Sequence, residues 1–196
     1  MNKHLLSAML ISTACLCSLP TFGEVKYGIK GGINMNNLSL DNAGSNFSAK
    51  NKTGYYIGGT CDFHLYKKWT MDISLLFDNR EVSCSYKTKS YENGVQYLSL
   101  PISCDYNVNF CKNVDLYLTT GPQFSYCISG DNSKIELDKS IYSWNVGGGF
   151  KILRHIELNY NYNIGIGDFG VFTPISKAAG HKLKNNIHQI GLTYIF

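Results

Sequence analysis

Residues 187–196, Ile-His-Gln-Ile-Gly-Leu-Thr-Tyr-Ile-Phe, leave few folds open. In an extended strand the side chains alternate between faces with period two. Phe196, Tyr194, Leu192, Ile190 and His188 then share one broad, mostly apolar face. Thr193, Gly191 and Gln189 share the other, together with Ile195 and Ile187. The stretch stops on an aromatic residue, where soluble domains usually carry a few frayed polar ones. A strand that closes a barrel against the chain's first strand fits this pattern.

The same alternation recurs upstream. Val25, Tyr27, Ile29 and Ile33 share a face over 25–34. Over 53–66, Tyr55, Ile57, Gly59, Cys61, Phe63 and Leu65 oppose Tyr56, Gly58, Thr60, Asp62, His64 and Tyr66. A third strand starts at Thr70, with Leu76 as an apolar intruder on its polar face. A fourth covers 95–107; Pro101 in its middle lacks a ladder donor and suggests a local bulge. A fifth covers 114–128, a sixth 141–152 and an eighth 187–196. The seventh has the cleanest pattern: Ile156, Leu158, Tyr160, Tyr162, Ile164 and Ile166 against Glu157, Asn159, Asn161, Asn163, Gly165 and Gly167. Long polar connections are expected at 35–52, 83–93, 129–139 and 168–185, and short turns between the others. Long and short connections alternate, so an up-and-down barrel puts all the long ones at one rim.

Which face looks outward follows from residue type. The bulky face holds Leu, Ile, Phe, Tyr and Trp. The other holds Gly, Asn, Ser, Thr and a few Asp, rather than the Lys and Glu of a water-exposed wall. An eight-stranded barrel is only wide enough inside to be filled by side chains. Bulky residues therefore go outside and small polar ones interlock within. Composition agrees: charged residues are 16%, below a soluble domain's usual quarter, while Tyr numbers 14 and Gly 19. The expected fold is all-β, an eight-stranded antiparallel up-and-down transmembrane β-barrel. A periplasmic ligand-binding barrel of the lipocalin kind is the alternative.

Residues 1–23 read as a secretory signal peptide, and 24–196 as the barrel domain. Lys3 and His4 open it, 5–19 form the apolar core, and Thr21-Phe22-Gly23 is a small-x-small cleavage site. A lipoprotein reading at Cys15 is weaker, because Ser12-Thr13-Ala14 lacks the Leu that opens such a triplet. No later stretch holds the ~20 apolar residues of a spanning helix. Of the seven cysteines, Cys61, Cys84, Cys104, Cys111 and Cys127 lie beyond the signal. An odd number at irregular spacing is no disulfide framework, and no C-x-x-C pair offers a metal site. The net charge of +4 comes from scattered Lys, without a nucleic-acid face.

With these pieces in order, the chain resembles the PorT-like small outer-membrane β-barrel proteins of Gram-negative bacteria. The resemblance rests on Tyr27-Gly28-Ile29-Lys30-Gly31-Gly32-Ile33-Asn34 with Leu38 following, and on 54–59. Tyr97-Leu98-Ser99-Leu100-Pro101, Gly121-Pro122, Gly147-Gly148-Gly149 and 189–196 carry the rest. It implies residence in the outer membrane, with its lipid as surroundings. It also implies insertion by the barrel-assembly machinery, which reads a C-terminal aromatic strand: here Phe196, Tyr194 and Leu192. It does not imply one biochemical function.

A search for chemistry returns no catalytic, cofactor-binding or metal residues. Of the histidines, His64 sits on the lumen face near a short turn, His155 in a turn, His181 in a loop, and His188 on the bulky face with no Ser or acid beside it. No nucleophile elbow or phosphate loop is present. Lumen charges are Lys26, Lys30, Asp62, Asp72, Asp78, Arg80, Lys151 and Glu157, mixed in sign as a plugged interior requires. The expected role is structural or surface-interacting, without enzymatic activity and with any partner held by the four long loops. A transport or secretion accessory and a lipid-modifying enzyme are the alternatives.

Overall fold

The computed structural model describes residues 24–40, 47–50, 53–86, 89–130, 136–137, 140–166, 170–171 and 183–196. The expected signal peptide at 1–23 and His181 lie outside these. Eight strands form the wall: β1 (Val25–Leu40), β2 (Thr53–Tyr66), β3 (Trp69–Tyr86), β4 (Lys89–Cys111), β5 (Val114–Gly130), β6 (Ser140–Ile152), β7 (Ile156–Gly165) and β8 (Leu183–Ile195). Each pairs antiparallel with its sequence neighbours. β1 pairs β8 from Gly28↔Ile195 to Leu40↔Leu183, so the sheet closes on itself. Closure leaves no unpaired edge among the eight strands.

The faces fall as the alternation predicts. Tyr27, Ile29, Ile57, Leu75, Trp144, Leu158, Tyr160, Leu192 and Tyr194 are exposed on the outside, while Asn34, Ser74, Asp78, Ser99, Asn163 and Thr193 are fully buried within. Leu76 is buried on the lumen side, as its phase requires. The end of β2 is the exception: Phe63 is covered, while His64 and Tyr66 of the expected lumen face are exposed, around a register shift between His64 and Tyr66.

Three turns join strands at one rim, and backbone hydrogen bonds tie that rim into a ring. His64 donates to Glu24, Asn107 to Lys68, Leu153 to Asn113, Ile195 to His155 and Phe196 to Tyr27. Leu153 and Arg154 both have positive φ, 53° and 62°, and the His155 amide donates back to the Ile152 carbonyl at 3.2 Å. That is the left-handed two-residue turn whose twist matches antiparallel strands.

At the other rim the wall rises higher than the sequence suggested. Part of the expected loop 35–52 is strand: β1 runs on to Leu40, and Phe47–Lys50 pairs with Ser83–Tyr86 of β3. The expected loop 83–93 is a hairpin paired up to Tyr86↔Lys89. In 129–139 and 168–185, Glu136–Leu137 pairs with Gly170–Val171, and β8 already starts at Leu183. The reason is physical. Alternation reports a difference between two faces, whereas the ladder is made by backbone groups, so the ladder can continue where alternating apolar residues stop.

The bulge expected at Pro101 is absent. The register is the same on either side of it, Ile73↔Ile102 and Leu76↔Ser99 against β3, Pro101↔Gln123 and Cys104↔Thr120 against β5. One proline removes one donor without demanding an extra residue. The shifts in the β4–β5 ladder lie instead at Gln96/Tyr97 and Asn109/Cys111.

Candidate functional site

The lumen holds the densest chemistry in the molecule, and its residues come from all eight strands. Tyr56 of β2 reaches across to β7, where its hydroxyl donates to Asn159 Oδ1 at 3.3 Å. It passes over the paired Gly32 and Gly191 of β1 and β8. A Cβ on Gly191 would lie 1.9 Å from the Tyr56 hydroxyl, so this crossing needs glycine there. Asn159 donates on to Thr193 at 3.3 Å, and Asn163 to Gln189 at 2.8 Å.

Three charged clusters are stacked around this crossing. In the first, the Asp78 carboxylate accepts from Arg80 Nε at 2.8 Å, from Arg80 Nη2 and from Asn34 Nδ2. The Arg80 guanidinium also sits 4.6 Å from the centre of the Tyr97 ring, and Ser99 and Ser125 complete the shell. In the second, Lys30 Nζ pairs with Asp72 at 2.8 Å and donates to Ser74 at 3.2 Å, while Thr60 donates to Asp72 at 2.9 Å. In the third, Lys151 lies 2.8 Å from Glu157, 3.8 Å from Asp62 and 3.9 Å from Asp105. Buried charges persist only when paired and hydrogen-bonded. Each cation here meets that condition.

Between the second and third clusters lies a cavity of about 20 Å³, room for one water molecule. The described lumen is thus a packed polar interior, as expected for eight strands. Asp105 belongs to it, buried at 3% exposure, and was missing from the charges read off the sequence. Its place between the outward Cys104 and Tyr106 was the available signal. Lys26, by contrast, sits near the rim, 4.0 Å from Glu24 with both side chains well exposed.

On the exposed outer face, Trp144 and Thr120 satisfy their polar groups locally. Trp144 Nε1 donates to Thr120 Oγ1 at 2.9 Å, and that hydroxyl donates to the Asn145 carbonyl at 3.1 Å. Such local pairing is what a wall without water contact demands.

The sequence model described as outer membrane protein beta-barrel domain matches residues 14–170. The chain belongs to this family. Among solved structures, the outer membrane protein OprG of Pseudomonas aeruginosa is similar, with a TM-score of 0.55 and 16% identity, covering 87% of this chain and 95% of OprG. Neisserial surface protein A has a TM-score of 0.52 at 11% identity, covering 89% of this chain and 100% of its own. At such identities the likeness concerns the fold alone. No curated protein matches the chain by sequence.

For an outer membrane barrel the exposed apolar wall is the lipid face, and the histidines can be judged against it. The expected lumen position of His64 is corrected: it is exposed at the short-turn rim, next to the register shift at the end of β2. His155 sits in the Ile152–His155 turn with Nδ1 3.0 Å from the Ile195 carbonyl oxygen and its ring stacked on Tyr194. His188 Nδ1 is 2.8 Å from the Tyr160 hydroxyl, and its ring centre is 4.8 Å from that of Tyr162. Sequence reasoning looked beside His188 for Ser or acid; the neighbours are tyrosines brought in by the register Tyr162↔His188. None of the three described histidines touches a carboxylate or serine that would activate it. Phe196, Tyr194 and Leu192, expected as the assembly signal, are exposed on the outer wall of the seam.

Proposed function

We propose that this outer membrane barrel acts as a structural and surface-interacting protein, without enzymatic activity, through the connections at its tall rim. The packed lumen carries the reading: three charged clusters fill the described interior and the cavity between two of them is about 20 Å³, which argues against a solute path. Contact with a partner then falls to 35–52, 83–93, 129–139 and 168–185. The β3–β4 hairpin and the Glu136–Leu137 pairing with Gly170–Val171 give those segments a β framework. The motifs around Tyr27–Asn34 and Tyr97–Pro101 support placement among the PorT-like members. Residues 1–23 would direct export, and Phe196, Tyr194 and Leu192 would present the aromatic strand to the assembly machinery.

Two measurements test the reading together. In planar bilayers the purified barrel is expected to give no sustained conductance. Photo-crosslinkers in 35–52 and 168–185 are expected to capture a discrete partner on intact cells, lost when those segments are replaced in a barrel that still folds. Stable conductance steps, or a cellular role that survives replacement of all four segments, would contradict it.

A further inference from the structure

Each of the three short turns carries exposed cations: Lys67 and Lys68 between β2 and β3, Lys112 between β4 and β5, and Arg154 between β6 and β7. Backbone hydrogen bonds knit these turns into the rim. Asn107 donates to the Lys68 carbonyl at 2.8 Å, Leu153 to the Asn113 carbonyl at 3.0 Å and Ile195 to the His155 carbonyl at 2.7 Å. The cations are therefore spread around the perimeter at the short-turn end of the wall.

The acids of this rim do not answer them. Among the described residues they are Glu24 and Asp115. Glu24 lies 4.0 Å from Lys26, and Asp115 accepts from Asn109 Nδ2 at 2.9 Å. None of Lys67, Lys68, Lys112 and Arg154 forms an ion pair with a described residue, whereas the lumen cations Lys30, Arg80 and Lys151 all do. Turn geometry does not ask for cations either. Lys67 and Arg154 have positive φ, 49° and 62°, where Gly and Asn sit most easily.

The neighbours of the cations set their level. Tyr66 and Trp69 flank Lys67 and Lys68, Phe110 lies close before Lys112, and Leu153 precedes Arg154; all four are exposed. Lys67 Nζ is 4.9 Å from the centre of the Tyr66 ring, and Trp69 packs on Tyr106 with ring centres 4.9 Å apart. Exposed aromatic side chains gather where hydrocarbon gives way to headgroups. Long cationic side chains beside them reach into the same layer.

We propose that the short-turn rim binds anionic phospholipid headgroups, whose phosphates meet Lys67, Lys68, Lys112 and Arg154 at the border of the lipid face. In outer membrane barrels the short turns lie on the periplasmic side, so these lipids belong to the periplasmic leaflet. A soluble acidic partner would call for cations clear of the wall. These stand beside side chains suited to the membrane border. Separate cations around a perimeter also suit many small ligands in a leaflet better than one large ligand.

The two tryptophans of the chain make the test specific to one rim. Trp69 lies beside Lys68, and Trp144 lies well up β6 from its short turn. Trp144→Phe leaves Trp69 as reporter, and Trp69→Phe leaves Trp144. Each barrel is reconstituted in phosphatidylcholine bilayers holding a fixed fraction of brominated phosphatidylglycerol or of brominated phosphatidylcholine. At low salt, Trp69 is expected to be quenched several-fold more efficiently by the brominated phosphatidylglycerol. The preference is expected to fall as sodium chloride is raised, and to be absent at Trp144. A cation near an anionic surface changes affinity roughly fivefold. Combining Lys67→Asn, Lys68→Gln, Lys112→Gln and Arg154→Asn is therefore expected to abolish the preference, with Asn chosen for the two positions of positive φ. Folding is read from heat-modifiable gel mobility. If that variant does not fold, Lys67→Asn/Lys68→Gln makes the same comparison, with the preference at Trp69 at least halved. Equal quenching of Trp69 by the two lipids would overturn the proposal. So would an equal preference at Trp144, or one that survives loss of the cations or high salt.

Discussion

The backbone amide of Phe196 donates to the Tyr27 carbonyl at 2.8 Å, joining the last strand of the barrel to the first. With the pairs Gly28↔Ile195 and Ile29↔Tyr194, it is the final stitch of the closing seam.

Deleting residues 194–196 removes that stitch and leaves Tyr27, Gly28 and Ile29 facing lipid without ladder partners on that side, which a bilayer does not tolerate. The truncated chain is expected not to reach the outer membrane as a folded barrel. Heat-modifiable gel mobility and protection from external protease check this. Phe196→Ala keeps the backbone bond and is expected to slow insertion while leaving the folded barrel stable.

Asp78 and Arg80 make a sharper energetic prediction. Arg80 is 1% exposed, and Asp78 is the carboxylate that answers its charge. Asp78→Ala strands a buried guanidinium and is expected to cost about 3–5 kcal/mol in refolding titrations. The double variant Asp78→Ala/Arg80→Met is expected to recover much of that loss.

Adjacent glycines on β2 should behave oppositely. A Cβ on Gly58 would lie 1.9 Å from the Leu75 carbonyl oxygen, whereas one on Gly59 meets nothing closer than the Gly28 oxygen at 3.9 Å. Gly58→Ala is expected to destabilise by about 1–3 kcal/mol, the usual range for overpacking. Gly59→Ala is expected to be near neutral. Denaturant unfolding of the two variants in lipid decides.

The difference between those glycines also shows how far the sequence could be read. Alternation along Ile156–Gly165 assigns each residue to lipid or lumen, and the burial pattern follows it residue by residue. It assigns Gly58 inward and Gly59 outward as well, yet the contact between Gly58 and Leu75 depends on the register of β2 against β3, which no single strand encodes. The lumen shows the same limit. Asp62 and Asp72 were legible as inward charges. That Lys151, beyond its hairpin partner Glu157, would also lie near Asp62 and Asp105 follows only from closing eight strands at one stagger. At the tall rim the reading failed for the opposite reason. Residues 83–86 and 89–93 keep their ladder where apolar patterning has stopped, so polarity was mistaken for a loop.

The central claim is that the bulky face meets lipid while the small polar face packs the lumen. Leu158→Arg is expected to cost roughly 2–4 kcal/mol if it lies near the midplane. Asn161→Ser, which removes an oxygen without a donor, is expected to cost well under about 1 kcal/mol. The most direct measurement places a fluorescent label on single cysteines replacing Leu158, Leu192 or Thr193, and reads quenching by brominated acyl chains in bilayers. Strong quenching at Leu158 and Leu192 with little at Thr193 is the predicted result. Strong quenching at Thr193 with protection of the other two would mean that the faces are inverted.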